Sequence, residues 1–281
     1  MQIFDHISEL RKYLDQKILK TLGFVPTMGA LHQGHLSLVR NAIEKNDLTI
    51  CSIFVNPTQF DRQEDLQKYP RTIEEDLRRL EETGCDLCFL PSINEIYLQG
   101  ATRLHFDFGG VEKQMEGMHR PGHFDGVATV IQRLFEIVRP TNVYFGEKDF
   151  QQLRIIQELV RLLKIPVKVI GMPIVREEDG LAMSSRNLGL THRFRREAPR
   201  LYQTLLQVQV LFSQRAYHII QNHVEHIFSE STLRLEYFVI ADEERLQPMQ
   251  AFDISKNYRA FIAVFADEVR LIDNLYLHKP T

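Results

Sequence analysis

The stretch LGFVPTMGALHQGHLSLVRNAI, residues 22–43, contains a complete strand–turn–helix pattern. Its first part is apolar and ends at Gly29, and from Gly34 onward apolar residues recur every three or four positions, which is the spacing of an amphipathic helix. We therefore predict a strand, a glycine-containing turn and a helix. The apolar, β-branched run at 48–55 predicts a second strand covered on both faces, which completes a βαβ unit.

The same alternation continues to about residue 174. Strands are predicted at 86–90, 142–145 and 167–170, and helices at 72–84, 124–138 and 150–164. Strands that alternate with helices predict an α/β fold, a doubly wound, Rossmann-like parallel sheet.

The predicted helix at 72–84 has local signals at both ends. Thr72 and Glu75 have the spacing of a capping box, and Gly84 is expected just beyond the last turn. Pairs of opposite charge four residues apart, Glu74 with Arg78 and Glu75 with Arg79, are expected to support it.

The pattern changes after residue 185. Two helical stretches, 191–212 and 216–228, precede strand-like runs at 233–240, 258–265 and 269–277. Pro199 is expected to open a second helical piece, because a proline inside a helix costs about 3 kcal/mol. We predict a first domain over 1–174 and a smaller α+β domain over 175–281.

Composition excludes several classes of protein. The chain has 34 Lys+Arg and 37 Asp+Glu, a net charge of −3, so we expect no nucleic-acid partner. Its longest apolar runs are too short to span a bilayer, so no membrane partner is expected. Three cysteines and no visible export signal favour a cytoplasmic protein, and Cys85 and Cys88 are expected to be core residues.

Polar residues follow the predicted strands at their carboxyl ends, where ligands bind in an open parallel sheet. His32 and His35 lie three apart, on one side of a helix N-terminus that already favours a phosphate group. The alternative is that both are ordinary surface histidines near a helix N-cap. Their position directly after a strand favours an anion-binding site instead. A zinc site is disfavoured because no third ligand has a useful spacing.

Other candidates occupy similar positions. Lys148 and Asp149 follow a strand and could be a solvated pair or part of a site, whereas residues 183–187 offer two hydroxyls and a guanidinium suited to phosphate. Ser184 lacks the G-x-S-x-G setting of a nucleophile. Neither G-x-G-x-x-G nor a P-loop motif occurs, which disfavours a dinucleotide-dependent dehydrogenase and a P-loop nucleotide hydrolase.

Six motifs within residues 24–187 together resemble the pantothenate synthetase family, in the order of that family. They are PTMGALHQGH (26–35), FVNPTQF (54–60), YPRT (69–72), RPGHF (120–124), FGEKDFQQ (145–152) and DGLAMSSRN (179–187). The resemblance implies a wider kinship with nucleotidyltransferases and class I aminoacyl-tRNA synthetases. It also implies that the smaller domain closes over the active site and that the protein is a homodimer.

The resemblance also implies an activity. It is the ATP-dependent condensation of pantoate with β-alanine through a pantoyl adenylate, with release of AMP and pyrophosphate. The enzyme would be an AMP-forming ligase of pantothenate biosynthesis that makes an amide bond, with ATP as co-substrate and Mg²⁺ accompanying the triphosphate. The acidic stretch at 74–76 only partly resembles the family, so the metal ligands stay unassigned.

The resemblance assigns site residues as follows. The expected catalytic residues are His32, His35, Lys148 and Arg186, with His35 in the family's role of proton donor. The expected ATP-binding residues are Met28, Gly29, Ala30, Leu31, His32, Gln33, Gly34, His35, Gly146, Glu147, Lys148, Asp149, Val175, Met183, Ser184, Ser185 and Arg186. The expected pantoate ligands are Gln59 and Gln152, and Asn56 is expected to support Gln59 or to meet β-alanine.

Two alternatives stay open at this point. A nucleotidyltransferase that adenylates a phosphorylated substrate would need a second phosphate-binding cluster and no amine site. An RNA-binding or tRNA-charging protein would need a basic C-terminal face, and the arginines at 193–200 are read instead as a solvated helix face.

Overall fold

The computed structural model describes residues 1–60, 63–98 and 100–280, so Thr281, the last residue of the predicted second domain, lies outside the described residues. The chain forms two compact units. The first consists of Met1–Glu147 and Gln151–Pro173, and the second of Lys148–Phe150 and Ile174–Thr281. The predicted boundary at 174/175 and the closure of one domain over the site stay predictions, and Lys148–Phe150 is grouped here with the second unit.

The first unit is built on a six-stranded parallel sheet. Its strands are β1 (Gln2–Phe4), β2 (Leu22–Thr27), β3 (Leu48–Ile53), β4 (Leu87–Phe89), β5 (Asn142–Gly146) and β6 (Lys168–Met172). Their order is β1-β4-β3-β2-β5-β6, and each neighbouring pair is parallel. The predicted doubly wound sheet is confirmed, and its order reverses between β2 and β5, where such sheets bind ligands.

Helices connect these strands. They are α1 (Ile7–Asp15), α2 (Gln33–Lys45), α3 (Gln63–Lys68), α4 (Ile73–Thr83), α5 (Ile93–Ile96), α6 (Met115–His119), α7 (His123–Val138) and α8 (Phe150–Leu163), with 3-10 turns at Pro57–Gln59, Val111–Lys113 and Glu147–Asp149. The long helices α2, α4, α7 and α8 lie where the apolar periodicity predicted them. The sequence did not predict β1, α1 or the short helices. Few of these elements are long enough to show a hydrophobic periodicity.

The capping box predicted for α4 is wrong. Thr72 is the N-cap residue, but its hydroxyl makes no capping bond and instead donates to the Asp76 carboxylate at 3.2 Å. Arg78 pairs with Glu75 and Glu82 rather than with Glu74, and only the pair of Glu75 with Arg79 follows the prediction. Gly84 does end the helix in the left-handed conformation, with φ of 85°.

The central strands β2 and β3 are largely buried. Phe24, Val25, Ile50 and Cys51 have no exposed surface, as expected for parallel strands covered on both faces. Cys85 and Cys88 are buried as well, and the three cysteines carry free thiols, so the prediction of core cysteines is confirmed.

The second unit is a helix-backed antiparallel sheet. It comprises a 3-10 turn (Ser185–Gly189), α9 (His192–Glu197), α10 (Arg200–Ser213), α11 (Tyr217–Ser229), β7 (Arg234–Asp242), β8 (Tyr258–Ala266) and β9 (Val269–Leu277). The strands pair in the order β7-β8-β9, and Leu205, Val208 and Phe212 of α10 pack with Ile262 and Val264 of β8. Pro199 is the N-cap residue of α10, as predicted.

Candidate active site

The turn after β2 approaches its neighbours closely. Gly29 has φ of 81°, and a Cβ added there would lie 3.0 Å from the Asp76 carboxylate and 3.1 Å from Ile53. A side chain at this position would be both strained and crowded. The turn is further held by Thr27, whose hydroxyl donates to the Ser52 carbonyl at 2.7 Å and accepts from the Gly29 amide at 3.2 Å.

Asp76 of α4 holds the next part of the turn. Its side chain is buried, and its carboxylate accepts from the backbone amides of Ala30 at 2.9 Å and Leu31 at 2.7 Å. Ala30 has φ of 49°, an uncommon conformation for a residue with a Cβ, so these two hydrogen bonds help to retain it. Sequence reasoning gave Asp76 no role, although its position four residues before the buried Leu80 places it on the apolar face of α4.

His32 and His35 lie together at the start of α2. His32 is the N-cap residue, and its Nδ1 accepts from the Gly34 amide at 3.1 Å, while Nδ1 of His35 accepts from the His32 amide at 3.3 Å. Their ring centroids are 4.0 Å apart. Since an accepting nitrogen carries no proton, the neutral form of each imidazole carries its proton on Nε2. Both side chains are therefore set as Nε2–H donors at a helix N-terminus.

A buried amide network follows β3. Asn56 Nδ2 donates to Gln59 Oε1 at 3.1 Å, and Gln59 Nε2 lies 3.1 Å from the sulfur of Met28. Asn56 Oδ1 accepts from Tyr97 at 2.8 Å and from the Thr58 hydroxyl at 3.0 Å. Asn56 thus supports Gln59, one of its two predicted roles, and the network adds Tyr97, whose pKa is raised by burial.

Helix α7 packs directly beneath this network. Its Gly126 has no room for a side chain, because an added Cβ would lie 2.2 Å from the Thr58 carbonyl oxygen and 2.7 Å from the Gln59 Cα. His123, at the start of α7, donates from Nδ1 to the Gln59 carbonyl at 2.8 Å, and Arg120 lies 3.1 Å from its Nε2. The R-P-G-H motif therefore fixes the backbone of Gln59, a role that the sequence did not reveal.

The remaining first-unit candidates follow β5. Gly146 ends the strand and Glu147 begins the 3-10 turn, while Gln152 is half-buried in the first turn of α8. The adjacent Gln151 is buried and accepts from the Glu116 amide at 3.0 Å. The first unit thus places Met28, His32 and His35 after β2, Asn56 and Gln59 after β3, Gly146 at the end of β5 and Glu147 directly after it.

The second unit contains the other candidates. Lys148 Nζ lies 3.8 Å from the Asp149 carboxylate, and its side chain is mostly buried. The Met183 amide donates to the Val175 carbonyl at 3.0 Å, which closes a hairpin. Ser184 caps the following turn by accepting from the Arg186 amide at 3.3 Å, and Ser185 is buried. The predicted residues after β6 therefore form one continuous hairpin and turn.

Among residues 1–60, 63–98 and 100–280, no group of three or more His, Cys, Asp or Glu side chains is arranged to hold a metal ion. Within the acidic stretch of α4, the Asp76 carboxylate accepts hydrogen bonds from the backbone amides of Ala30 and Leu31. The pKa of Glu75 is lowered to about 2 by its hydrogen bonds to Arg78 and Arg79. In the same described part of the chain, no helix is long and apolar enough to cross a membrane.

These features define a class of protein: a doubly wound α/β enzyme that presents paired imidazoles and a helix N-terminus at the switch point of its sheet. The family model described as "Pantoate-beta-alanine ligase" matches residues 2–276. The chain belongs to the pantoate–β-alanine ligase family, which confirms the resemblance found in its sequence, and it is a ligase that condenses pantoate with β-alanine.

Curated relatives and solved structures agree with this assignment. The chain is 48% identical to the pantothenate synthetase of Flavobacterium psychrophilum over 99% of this chain and 100% of that one. The crystal structure of the pantothenate synthetase of Thermus thermophilus has a TM-score of 0.90 at 43% identity and covers 98% of this chain and 99% of its own. A Francisella tularensis pantoate-beta-alanine ligase, complexed with beta-gamma ATP and beta-alanine, has a TM-score of 0.82 at 36% identity, covering 98% and 97%.

Proposed function

We propose that the chain uses ATP to activate pantoate as a pantoyl adenylate, which β-alanine then converts to pantothenate. The observation that carries this proposal is the pair of Nε2–H imidazole donors at the N-terminus of α2. Donors fixed in advance at a helix N-terminus suit the phosphate groups of ATP. The complex of the Francisella tularensis relative with beta-gamma ATP supports the same co-substrate.

In the first step, a carboxylate oxygen of pantoate attacks the α-phosphorus of ATP. A new C–O–P linkage forms, the bond from the α-phosphorus to the bridging oxygen breaks, and pyrophosphate leaves with that electron pair. His32 and His35 would donate to phosphate oxygens as charge moves toward the leaving group. The proton-donor role that the family resemblance gives to His35 would be met physically by its Nε2–H.

Pantoate is proposed to bind at the amide network after β3. Gln59 and Gln152 would hold its hydroxyl groups, because uncharged amides both donate and accept. Gln59 is supported from two sides, by the Asn56 side chain and by the His123 contact to its carbonyl, so its position is set before substrate arrives.

Residues of the second unit are also proposed to bind ATP. Lys148, Ser184, Ser185 and Arg186 would neutralise or donate to phosphate oxygens, and Val175 would contact the adenine. Asp149 and Met183 belong to the same proposed set, as do Met28 to Gly34, Gly146 and Glu147 in the first unit. All of these are donors, backbone positions or contact surfaces, and none is required as a nucleophile.

Magnesium is proposed to accompany the triphosphate. In nucleotide sites Mg²⁺ usually binds substrate phosphates and water together with one or two carboxylates. When bound, the ion would neutralise phosphate charge. We assign no side chain to it.

In the second step, the amine of β-alanine attacks the acyl carbon of the adenylate. An amide bond forms, the acyl–oxygen bond to AMP breaks, and the amine loses a proton. The protein would contribute position and exclusion of water. A homodimer is also proposed, on the family resemblance alone, and a cytoplasmic location is proposed from the three free cysteines.

The test is an isotope-exchange assay. We expect pantoate-dependent exchange of labelled pyrophosphate into ATP in the absence of β-alanine, and AMP as the nucleotide product once β-alanine is added. Omission of pantoate is the control and should abolish exchange. Formation of ADP and phosphate would contradict the adenylate route and indicate an acyl phosphate instead.

A further inference from the structure

Two adjacent residues of β9, Asp273 and Asn274, hold buried polar contacts that the reaction proposed above does not use. Their side chains are buried, at 4% and 2% exposure. Each is directed to a segment that carries proposed ATP-binding residues of the same unit. The two segments are the Lys148 turn and the hairpin that begins at Val175.

Asn274 binds the Lys148 turn. Its Nδ2 donates to the Lys148 carbonyl at 2.8 Å, and its Oδ1 accepts from Arg259 Nη1 at 2.6 Å. Both polar ends of the amide are thus engaged, so its orientation is determined by its partners. Arg259 is held in turn by Glu243 at 2.8 Å and lies over the ring of Phe150, 4.0 Å from its centroid.

Asp273 binds the hairpin. Its two carboxylate oxygens accept from both terminal nitrogens of Arg176, at 2.6 and 3.0 Å, in a bidentate pair. Arg176 also stacks on Tyr202, 3.7 Å from the ring centroid, and donates to the Gly180 carbonyl at 3.1 Å. Arg176 directly follows Val175, and the hairpin it anchors leads into Met183 and Ser184.

The two contacts are linked at their base. The backbone amide of Asn274 donates to the Asp273 carboxylate at 2.7 Å. One short stretch of β9 therefore holds both segments at a fixed separation. Burial raises the pKa of Asp273, whereas its hydrogen bonds to Arg176 lower it. Buried ion pairs add little stability relative to apolar packing. A role in positioning therefore explains the pair of Arg176 with Asp273 better than a role in stability does.

We propose that Asn274, supported by Asp273 and Arg259, is a positioning residue that sets the Lys148 side chain for adenylate formation. The inference rests on the proposed role of Lys148 in holding phosphate charge. Asn274 acts through the Lys148 backbone: with the carbonyl held, the direction of the Cα–Cβ bond is held, and the ammonium group samples fewer positions. A displacement of about 1 Å in such a group costs up to roughly 10²-fold in rate.

A double-mutant cycle tests this proposal. Asn274→Asp keeps an acceptor for Arg259 but removes the donor to the Lys148 carbonyl. We expect it to lower the maximal rate of pantoate-dependent pyrophosphate exchange by about 10- to 100-fold, with little change in the KM for pantoate. In the Lys148→Ala background the same change should cost less than about 3-fold, because the group it positions is gone.

The control is Glu236→Gln, which breaks the ion pair of β7 with Arg270 of β9 and changes none of the residues that contact Asn274 above; it should leave the exchange rate unchanged. Asn274→Ala introduces no buried charge and carries the same test if Asn274→Asp fails to fold, as judged by thermal unfolding. Equal losses from the Asn274 change in both backgrounds would overturn the proposal. Full activity of Lys148→Ala alone would instead remove Lys148 from the proposed function.

Discussion

Each of the two imidazoles at His32 and His35 is oriented by a backbone amide that donates to its Nδ1. The same contact serves two purposes. It satisfies an amide at the start of α2 that would otherwise lack an intrahelical partner, and it leaves Nε2–H as the donor of the neutral ring. The capping function and the proposed phosphate contact therefore reside on different nitrogens, and they can be separated by mutation.

His35→Asn keeps a polar atom near the Nδ1 position and removes the distal donor, whereas His35→Gln places an amide nitrogen near the Nε2 position. We expect His35→Asn to retain the thermal stability of the parent chain and to lose about 10²- to 10³-fold in pyrophosphate exchange, the cost of one lost donor. His35→Gln should lose less. Equal activity of the two variants would show that the Nε2 donor is not what His35 contributes.

Elements are positioned here by close backbone contact as well as by side chains. The 3-10 turn Pro57–Gln59 lies against α7 at Gly126, where an added Cβ would be 2.2 Å from the Thr58 carbonyl oxygen. Contact at that distance involves backbone on both sides, so neither can yield by a change of rotamer. The proposed pantoate ligand Gln59 thus depends on a helix far from it in sequence.

Gly126→Ala should therefore move the turn. We expect a loss of about 1–3 kcal/mol in the free energy of unfolding, typical of overpacking, measured by urea denaturation. In the folded fraction, the KM for pantoate should rise more than the KM for ATP. Glu136→Ala, at an exposed position of the same helix, is the matched control and should change neither. A rise confined to the KM for ATP would contradict the placement of Gln59 at pantoate.

At the scale of the whole molecule, the two units differ in their cysteine content, so thiol labelling can distinguish them. Cys51, Cys85 and Cys88 are the three cysteines of the chain, and all belong to the first unit and are buried. Burial raises the pKa of Cys85 and Cys88 to about 12, and that of Cys51 well above its usual range. A thiol reagent therefore reports on opening of the first unit alone.

We expect no labelling of the native protein near pH 8 and labelling of all three thiols in denaturing urea. An exposed variant thiol, Ser213→Cys in α10, is the positive control and should react at once. Because the folded thiols stay protonated while unfolded ones ionise near pH 8.5, the unfolded state binds fewer protons and stability should fall as pH rises above about 8.5. Rapid labelling of the native parent chain would contradict the burial of these residues.

The sequence by itself determined the alternation of strands and helices and the change of architecture after residue 185, and it indicated the sheet edge at which ligand binding is proposed, because hydrophobic periodicity and strand-end position are local properties. It also carried the motifs of the family. It provided no indication of Asp76 beneath the β2–α2 turn, His123 behind Gln59 or Asn274 behind Lys148. Those contacts join residues 45, 64 and 126 positions apart, and only tertiary packing, which decides which distant polar groups are buried together, could establish them.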